Sequence, residues 1–466
     1  MPIATARPHT DLLFTPAAPQ AAATASRFGL LARLRVLFTF ARDPLAGFTA
    51  AQFDKPYDQF EFFGRPSTVL NDASLIKHFF VENAANYRYG DLRQSLLKPA
   101  LREGLLTSEG ETWRRARRTM APIFTPRNVQ AFAGPMREAT LQYCATIRPG
   151  EARISPKMCE LAFHALSEAL FSGEITADAK AMLADTELFL RTLGHVDPTD
   201  ILGFPEWVPR PTKLRGGASV KRLRALVRER IDARAARITE GADMPRDLLT
   251  LLLEARGEDG AGFGHDEIED HLLTFIGAGH ETVARTLAWT LYLLAGDASA
   301  RARVEAEVDS LDVDGIAPQD WSSHLPFLRA CVEESMRLFP PICHIVRIAK
   351  VDDTHDGVFV AAGSTIIVNI WMLHRHRLHW QQPDAFDPDR FMAPRRAAFD
   401  RFHYLPFGAG LHVCIGASFA MQELAIVLAI LLRHFRFEYA GAEPPRALTR
   451  VTTQPHNEMP MVIYPR

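Results

Sequence analysis

Phe407-Gly-Ala-Gly-Leu-His-Val-Cys-Ile-Gly416 is the stretch on which the reading of this chain turns. Three glycines, Gly408, Gly410 and Gly416, surround one cysteine, Cys414. Glycine opens backbone shapes closed to other residues and lets a flat ligand approach the main chain. An apolar run suited to a strong helix over about Ala417–Arg433 follows immediately. A helix N-terminus favours an anion by roughly 0.3–1 kcal/mol, which assists a thiolate just before it. The preceding stretch, from about His374, is irregular and rich in Pro, Asp, Arg and Phe. A loop of that length inside a compact domain is usually functional.

The rest of the composition narrows what that cysteine can be. The chain has 466 residues and five cysteines, the others being Cys144, Cys159, Cys331 and Cys343. The number is odd and no CxxC pair occurs, which argues against a disulfide framework or a Cys-rich zinc site. A net charge of −2 provides no global field for nucleic acid. No apolar run reaches the ~18 residues of a membrane span. Residues 1–26 are rich in Ala, Pro and Thr and read as a disordered leader, and residues 27–466 as a single domain. Leu30–Phe40 reads as a short amphipathic helix packed on the body.

Apolar spacing predicts helices over most of residues 90–335, with breaks at Pro122–Pro126, Phe204–Pro211 and Gly257–Gly264. Gly357–Asn369 is β-branched around a Gly turn and reads as a hairpin. The expected class is therefore mainly α with a smaller β region (α+β).

Three further patterns carry chemistry. Leu272-Leu-Thr-Phe-Ile-Gly-Ala-Gly-His-Glu-Thr282 interrupts a good helix with glycines and then presents a carboxylate and a hydroxyl. Glu334-Ser-Met-Arg337 places an acid and a guanidinium on one helical face. Phe386-Asp-Pro-Asp-Arg-Phe391 follows downstream, and Trp113 and Arg117 stand four apart in Gly110–Arg117.

Together, and in this order, these motifs resemble the cytochrome P450 family. The Phe-x-x-Gly-x-x-x-Cys-x-Gly spacing of the loop is the most specific of them. The resemblance implies a long central helix over a haem, with the thiolate loop before the last long helix. It makes Cys414 the axial ligand of the iron of haem b, with Phe407, Gly408 and Gly416 shaping the loop. Such thiolate ligation pushes electron density to favour O–O cleavage. His412, Arg347, Trp113 and Arg117 would meet the haem propionates. Glu334, Arg337 and Arg390 would form a buried structural triad. Glu281 and Thr282 would relay protons on the distal side, where Gly279 would leave room for dioxygen. Phe275, Ile276, Ala278, Ile342, Val346 and Thr452 would line the substrate pocket, under a cover formed by Tyr89–Leu106.

The activity so implied is a monooxygenase that inserts one oxygen atom from O2 into an apolar or amphipathic organic molecule. Electrons would come from NAD(P)H through a separate ferredoxin- or flavodoxin-type donor and its reductase. The arginines at 114, 115, 117 and 118 form a candidate docking cluster for that donor. A peroxide-dependent hydroxylase or decarboxylase of the same fold and a haem sensor without turnover are the alternatives. Glu281 and Thr282 favour O2 chemistry over both. The soluble bacterial members of the family are the ones it resembles, which implies a cytoplasmic protein.

Overall fold

The computed structural model describes residues 13–16, 45, 49–62, 64–175, 178–193 and 211–466. Its longer helices are α1 (Asp91–Leu101), α2 (Gly110–Met120), α3 (Ala133–Cys144), α4 (Ile154–Phe171), α5 (Ala179–Leu193) and α6 (Pro211–Thr239). They continue with α7 (Leu248–Glu254), α8 (His265–Gly296), α9 (Ala298–Asp309), α10 (Pro326–Leu338) and α11 (Ala417–His434). The class is mainly α with a smaller β region, as the periodicity predicts.

The expected punctuation is where helices stop. α2 ends before Pro122, and α8 begins immediately after Gly264. There the Gly264 N–H donates to Glu267 at 2.9 Å, and Asp266 and Glu267 face the positive end of the helix dipole. Helix α11 spans Ala417–His434, one residue beyond the predicted end, with Arg433 and His434 at its negative end. It is the one described helix apolar and long enough to cross a membrane, yet 67% of it is buried within the fold. That burial is the environment of a core helix.

The strands are β1 (Tyr57–Phe62), β2 (Arg65–Leu70), β3 (Tyr87–Tyr89), β4 (Gly150–Arg153), β5 (His344–Ala349) and β6 (Asp353–His355). They continue with β7 (Val358–Val360), β8 (Thr365–Asn369), β9 (Phe435–Tyr439), β10 (Ala447–Thr449), β11 (Thr453–Pro455) and β12 (Pro460–Pro465). The main sheet has the order β1-β2-β8-β5-β3, with β2 and β8 parallel and the other neighbours antiparallel. A second sheet runs β4-β12-β9, and β10–β11 form a small hairpin.

The hairpin expected over Gly357–Asn369 does not form. β7 pairs with β6, whereas β8 enters the main sheet between β2 and β5. The turn at Gly363 is real (φ +78°), but its N–H donates to the Ala349 carbonyl and redirects the chain into that sheet.

A second correction concerns the leader. Leu13–Pro16 lies against the fold: the Phe386 N–H donates to the Phe14 carbonyl at 2.8 Å, and the Phe14 ring meets Tyr292 edge-on at 5.7 Å. One aromatic in an otherwise bland segment suffices to anchor it. The rest of 1–26, the expected helix at Leu30–Phe40 and the 204–210 break lie outside the described residues.

α8 is the spine of the core. It packs against α4, α6, α10, α11 and β9. Leu272 to Ile276 and most of Val283 to Leu294 are buried. Between them Ala278 is exposed, and Gly277, Gly279, Glu281 and Thr282 are half-buried. Accessible residues halfway along a core helix mark an internal void.

Candidate active site

The scaffold beneath the cysteine loop is a closed charge network. α10 brings Glu334 and Arg337 together as a bidentate pair, with Nε to Oε2 at 2.6 Å and Nη2 to Oε1 at 2.7 Å. Arg390 Nε donates to Glu334 Oε1 at 3.3 Å, and the Asp387 N–H to the same oxygen at 2.9 Å. The remaining Arg337 donors reach the carbonyls of His374, Pro383 and Ala385 at 2.6–2.9 Å. Glu334 and Arg337 are fully buried. The acid and two guanidiniums therefore tie α10 to the irregular stretch leading to Cys414. The planar fork of a guanidinium suits this bidentate geometry. His374 extends the tie: its Nε2 accepts the Leu405 N–H at 2.8 Å, two residues before Phe407. Burial pushes this imidazole down to about 3, so it stays neutral.

The loop itself is shaped by glycine where glycine is required. Gly410 has φ +74°, and a side chain there would run into the Phe80 carbonyl. The Cys414 N–H donates to the Phe407 carbonyl at 2.9 Å, and Phe407 packs against the main core. The Gly416 N–H points at the Cys414 sulfur, and the Arg117 charge also acts on it. Both favour a thiolate, but burial outweighs them and pushes the thiol up. A cation at the sulfur would complete the balance. Cys414 is nonetheless accessible, as are Leu411 and Val413 beside it. The loop presents a sulfur and apolar side chains to open space, while protein surrounds it otherwise.

Positive charge predominates next to that space, although the Glu109 carboxylate, which accepts the Tyr89 N–H at 2.6 Å, acts on Arg93 and Arg347. The His412 ring lies 4.1 Å from Trp113 and 4.8 Å from Tyr89, centroid to centroid. Its imidazole is pushed down to about 3, by burial first and then by Arg347, Arg93 and Arg117. Arg347, on β5, is buried and pushed down to about 10, chiefly by burial. Burial likewise pushes Arg93 and Arg117 down. None of the three guanidiniums forms an ion pair with a described carboxylate. Leaving cations desolvated and unpaired is costly unless an anion joins them.

Arg93 is a residue that sequence reasoning missed. It stands on α1, in the segment read as a cover, and no motif marks it. Its guanidinium stacks over Tyr89 at 3.8 Å and donates to the Leu106 carbonyl at 2.7 Å. Arg114, Arg115 and Arg118 behave differently. They pair with Glu111, Glu267 and Glu258, so most of the candidate docking cluster is already neutralised.

On α8, Thr282 Oγ1 donates to the Ala278 carbonyl at 2.9 Å, and Glu281 pairs with Arg285 at 2.8 Å. Gly279 also packs on α4: a Cβ there would approach Leu166 to 2.9 Å. That glycine lies at a packing notch between two helices, and Ala278 is the more accessible position. The expected pocket residues divide in the same way. Ala278 and Ile342 are exposed and Val346 half-buried, whereas Phe275, Ile276 and Thr452 are buried. Phe275 packs edge-on against Phe124 at 5.2 Å.

An accessible sulfur on a glycine-shaped loop, apolar residues beside it and a cationic cluster needing anions suit a flat apolar group with a metal centre and carboxylate arms. The family model described as Cytochrome P450 matches residues 49–461. The chain belongs to the cytochrome P450 family. A Mycobacterium tuberculosis protein designated cytochrome P450 132 is 30% identical over 442 residues, covering 89% of this chain and 92% of its own. The cyclooctat-9-en-7-ol 5-monooxygenase of Streptomyces melanosporofaciens is 32% identical, covering 72% and 73%. Among solved structures, the haem domain of cytochrome P450DA superposes with a TM-score of 0.80 at 24% identity, covering 97% and 98%. This P450 is thus an oxidoreductase of the monooxygenase family, and the family implies a haem-thiolate cofactor that the observed site suits.

Proposed function

We propose that this P450 binds haem b through Cys414 and inserts one oxygen atom from O2 into an apolar or amphipathic organic substrate. Electrons would come from NAD(P)H by way of a separate ferredoxin- or flavodoxin-type donor and its reductase, in the bacterial cytoplasm. The observation that carries this reading is Cys414 accessible beside guanidiniums that lack carboxylate partners. Trp113, Arg117, Arg347 and His412 would hold the propionates, joined by Arg93. Phe407, Gly408 and Gly416 would shape the bed of the sulfur. When bound, haem supplies the activation of dioxygen.

The chain's own contribution on the other side is proton delivery. Thr282 sits on the accessible stretch of the unbroken helix α8, beside Glu281, with its hydroxyl directed by the Ala278 carbonyl. Glu281 keeps one oxygen, Oε2, free of any described partner. An acid and an alcohol placed side by side can pass protons from ordered water, and such positioned transfer contributes typically 10²–10⁴-fold. Ala278, Ile342 and Val346 would contact the substrate directly. Phe275 and Ile276 would support that wall from behind, and Thr452 would cap it. The apolar character of these residues favours a hydrocarbon-rich substrate, in keeping with a relative named for cyclooctat-9-en-7-ol.

Thr282→Ala is expected to divert NAD(P)H-derived electrons from product to hydrogen peroxide while leaving haem spectra intact. Product and peroxide per NAD(P)H consumed are the measurements. Unchanged coupling would remove Thr282 from the relay. A spectral screen of compound classes would identify the substrate by the Soret shift that accompanies binding.

A further inference from the structure

The carboxylate of Glu281 is not free on its helix. Arg285, one turn further along α8, donates from Nη2 to Glu281 Oε1 at 2.8 Å, and each side chain is only 12% exposed. Nη1 donates to Ser155 Oγ of α4 at 2.6 Å, and Nη2 also reaches Gln454 Oε1 of β11 at 3.1 Å. The guanidinium thus joins three elements. β11 is itself fixed, since Trp289 Nε1 of α8 donates to the Thr453 carbonyl at 3.2 Å and Thr453 Oγ1 to that of Pro340 at 2.6 Å. An i,i+4 pair on an open helix face is mobile and adds only a few tenths of a kcal/mol. Here two outside tethers hold the guanidinium, and the guanidinium holds one oxygen of the acid. The other, Oε2, is buried without a described partner.

We infer that Arg285 is a positioning residue for proton delivery. It ties Oε1 of Glu281 and leaves Oε2 to serve the relay, while Ser155 and Gln454 fix that geometry from two sides. The inference rests on the reading of Glu281 as the relay acid. The other titratable groups acting here are Cys159 of α4, Glu187 of α5 and the neighbouring His280. Burial keeps the first neutral by pushing its thiol up to about 11, and pushes the imidazole of the last down.

The test compares holoenzyme carrying Glu281→Gln, Arg285→Gln, Arg285→Lys, or Ser155→Ala with Gln454→Leu. A surrogate ferredoxin, its reductase and NADPH supply electrons, and product per NADPH is followed. Arg285→Gln is expected to lower coupling roughly tenfold, a part of what positioned proton transfer provides. Arg285→Lys should restore most of the coupling, and the Ser155/Gln454 variant should fall between. Substrate-induced Soret shifts should match wild type throughout. If Glu281→Gln uncouples the enzyme but Arg285→Gln leaves coupling unchanged, the inference fails alone. If Glu281→Gln changes nothing, the relay reading fails and the inference with it. Should Arg285→Gln not fold, wild-type coupling in the Ser155/Gln454 variant overturns the inference.

Discussion

Two groups of arginines lie near the cysteine loop, one buried and one partly buried, and they are built on opposite principles. Arg337 and Arg390 meet Glu334, and the further donors of Arg337 are taken by backbone carbonyls. Arg93, Arg117 and Arg347 act together on His412, and none forms an ion pair with a described carboxylate, although Glu109 acts on Arg93 and Arg347. The first group is complete within the polypeptide and serves the fold. The second has cations in excess of described carboxylates, and on the proposed reading the two propionates of a haem would balance them. A buried charge satisfied internally is a structural element, whereas a buried charge left unpaired is addressed to a ligand.

The contrast breaks most severely at Glu334. Glu334→Gln strands Arg337 and Arg390, and removing one member of a buried ion pair costs about 3–5 kcal/mol. The variant should yield little folded protein, and urea unfolding of what remains should show that loss. Wild-type stability would mean the triad is ornamental.

Acid should attack the same network next. The His374 imidazole is held at about 3 while accepting the Leu405 N–H, against about 6.5 when unfolded. Below about 6.5 the unfolded chain binds a proton that the folded one refuses, so stability falls with pH down to about 3. His344 and His403, each pushed down to about 4 by burial, act in the same direction. The unfolding midpoint measured across that window should fall with pH, and His374→Gln should flatten the dependence.

The cationic cluster should respond in the opposite sense to the triad. On the proposed reading, Arg117→Gln and Arg347→Gln would each remove a charge-assisted contact of roughly 1.5–3 kcal/mol to haem. Haem dissociation should accelerate about ten- to a hundredfold, while the apoprotein keeps or gains stability. A stability loss in the apoprotein with unchanged haem retention would reverse the assignment of the two groups.

What the sequence disclosed follows from the range of each interaction. The limits of α11 were legible because apolar periodicity is local, and the Glu334–Arg337 pair and the Cys414 loop stood out through the ordered motifs of the resemblance. Arg93 was not, because only tertiary packing brings α1 to His412. The separation of β7 from β8 was not, because strand pairing is decided across some 300 residues, by β2. Gly279 had two physical readings, a notch or an opening, and its packing on Leu166 of α4 is likewise a tertiary contact. The partners of Arg115 and Arg118 lie more than a hundred residues away, so their neutralisation was invisible in a basic run.

The central claim is that Cys414 is the thiolate ligand of a haem, and the reduced carbon monoxide complex tests it most directly. The purified wild-type protein should show the strongly red-shifted Soret band of a thiolate-ligated haem, and Cys414→Ser should lose that band. A variant that retained it would contradict the account.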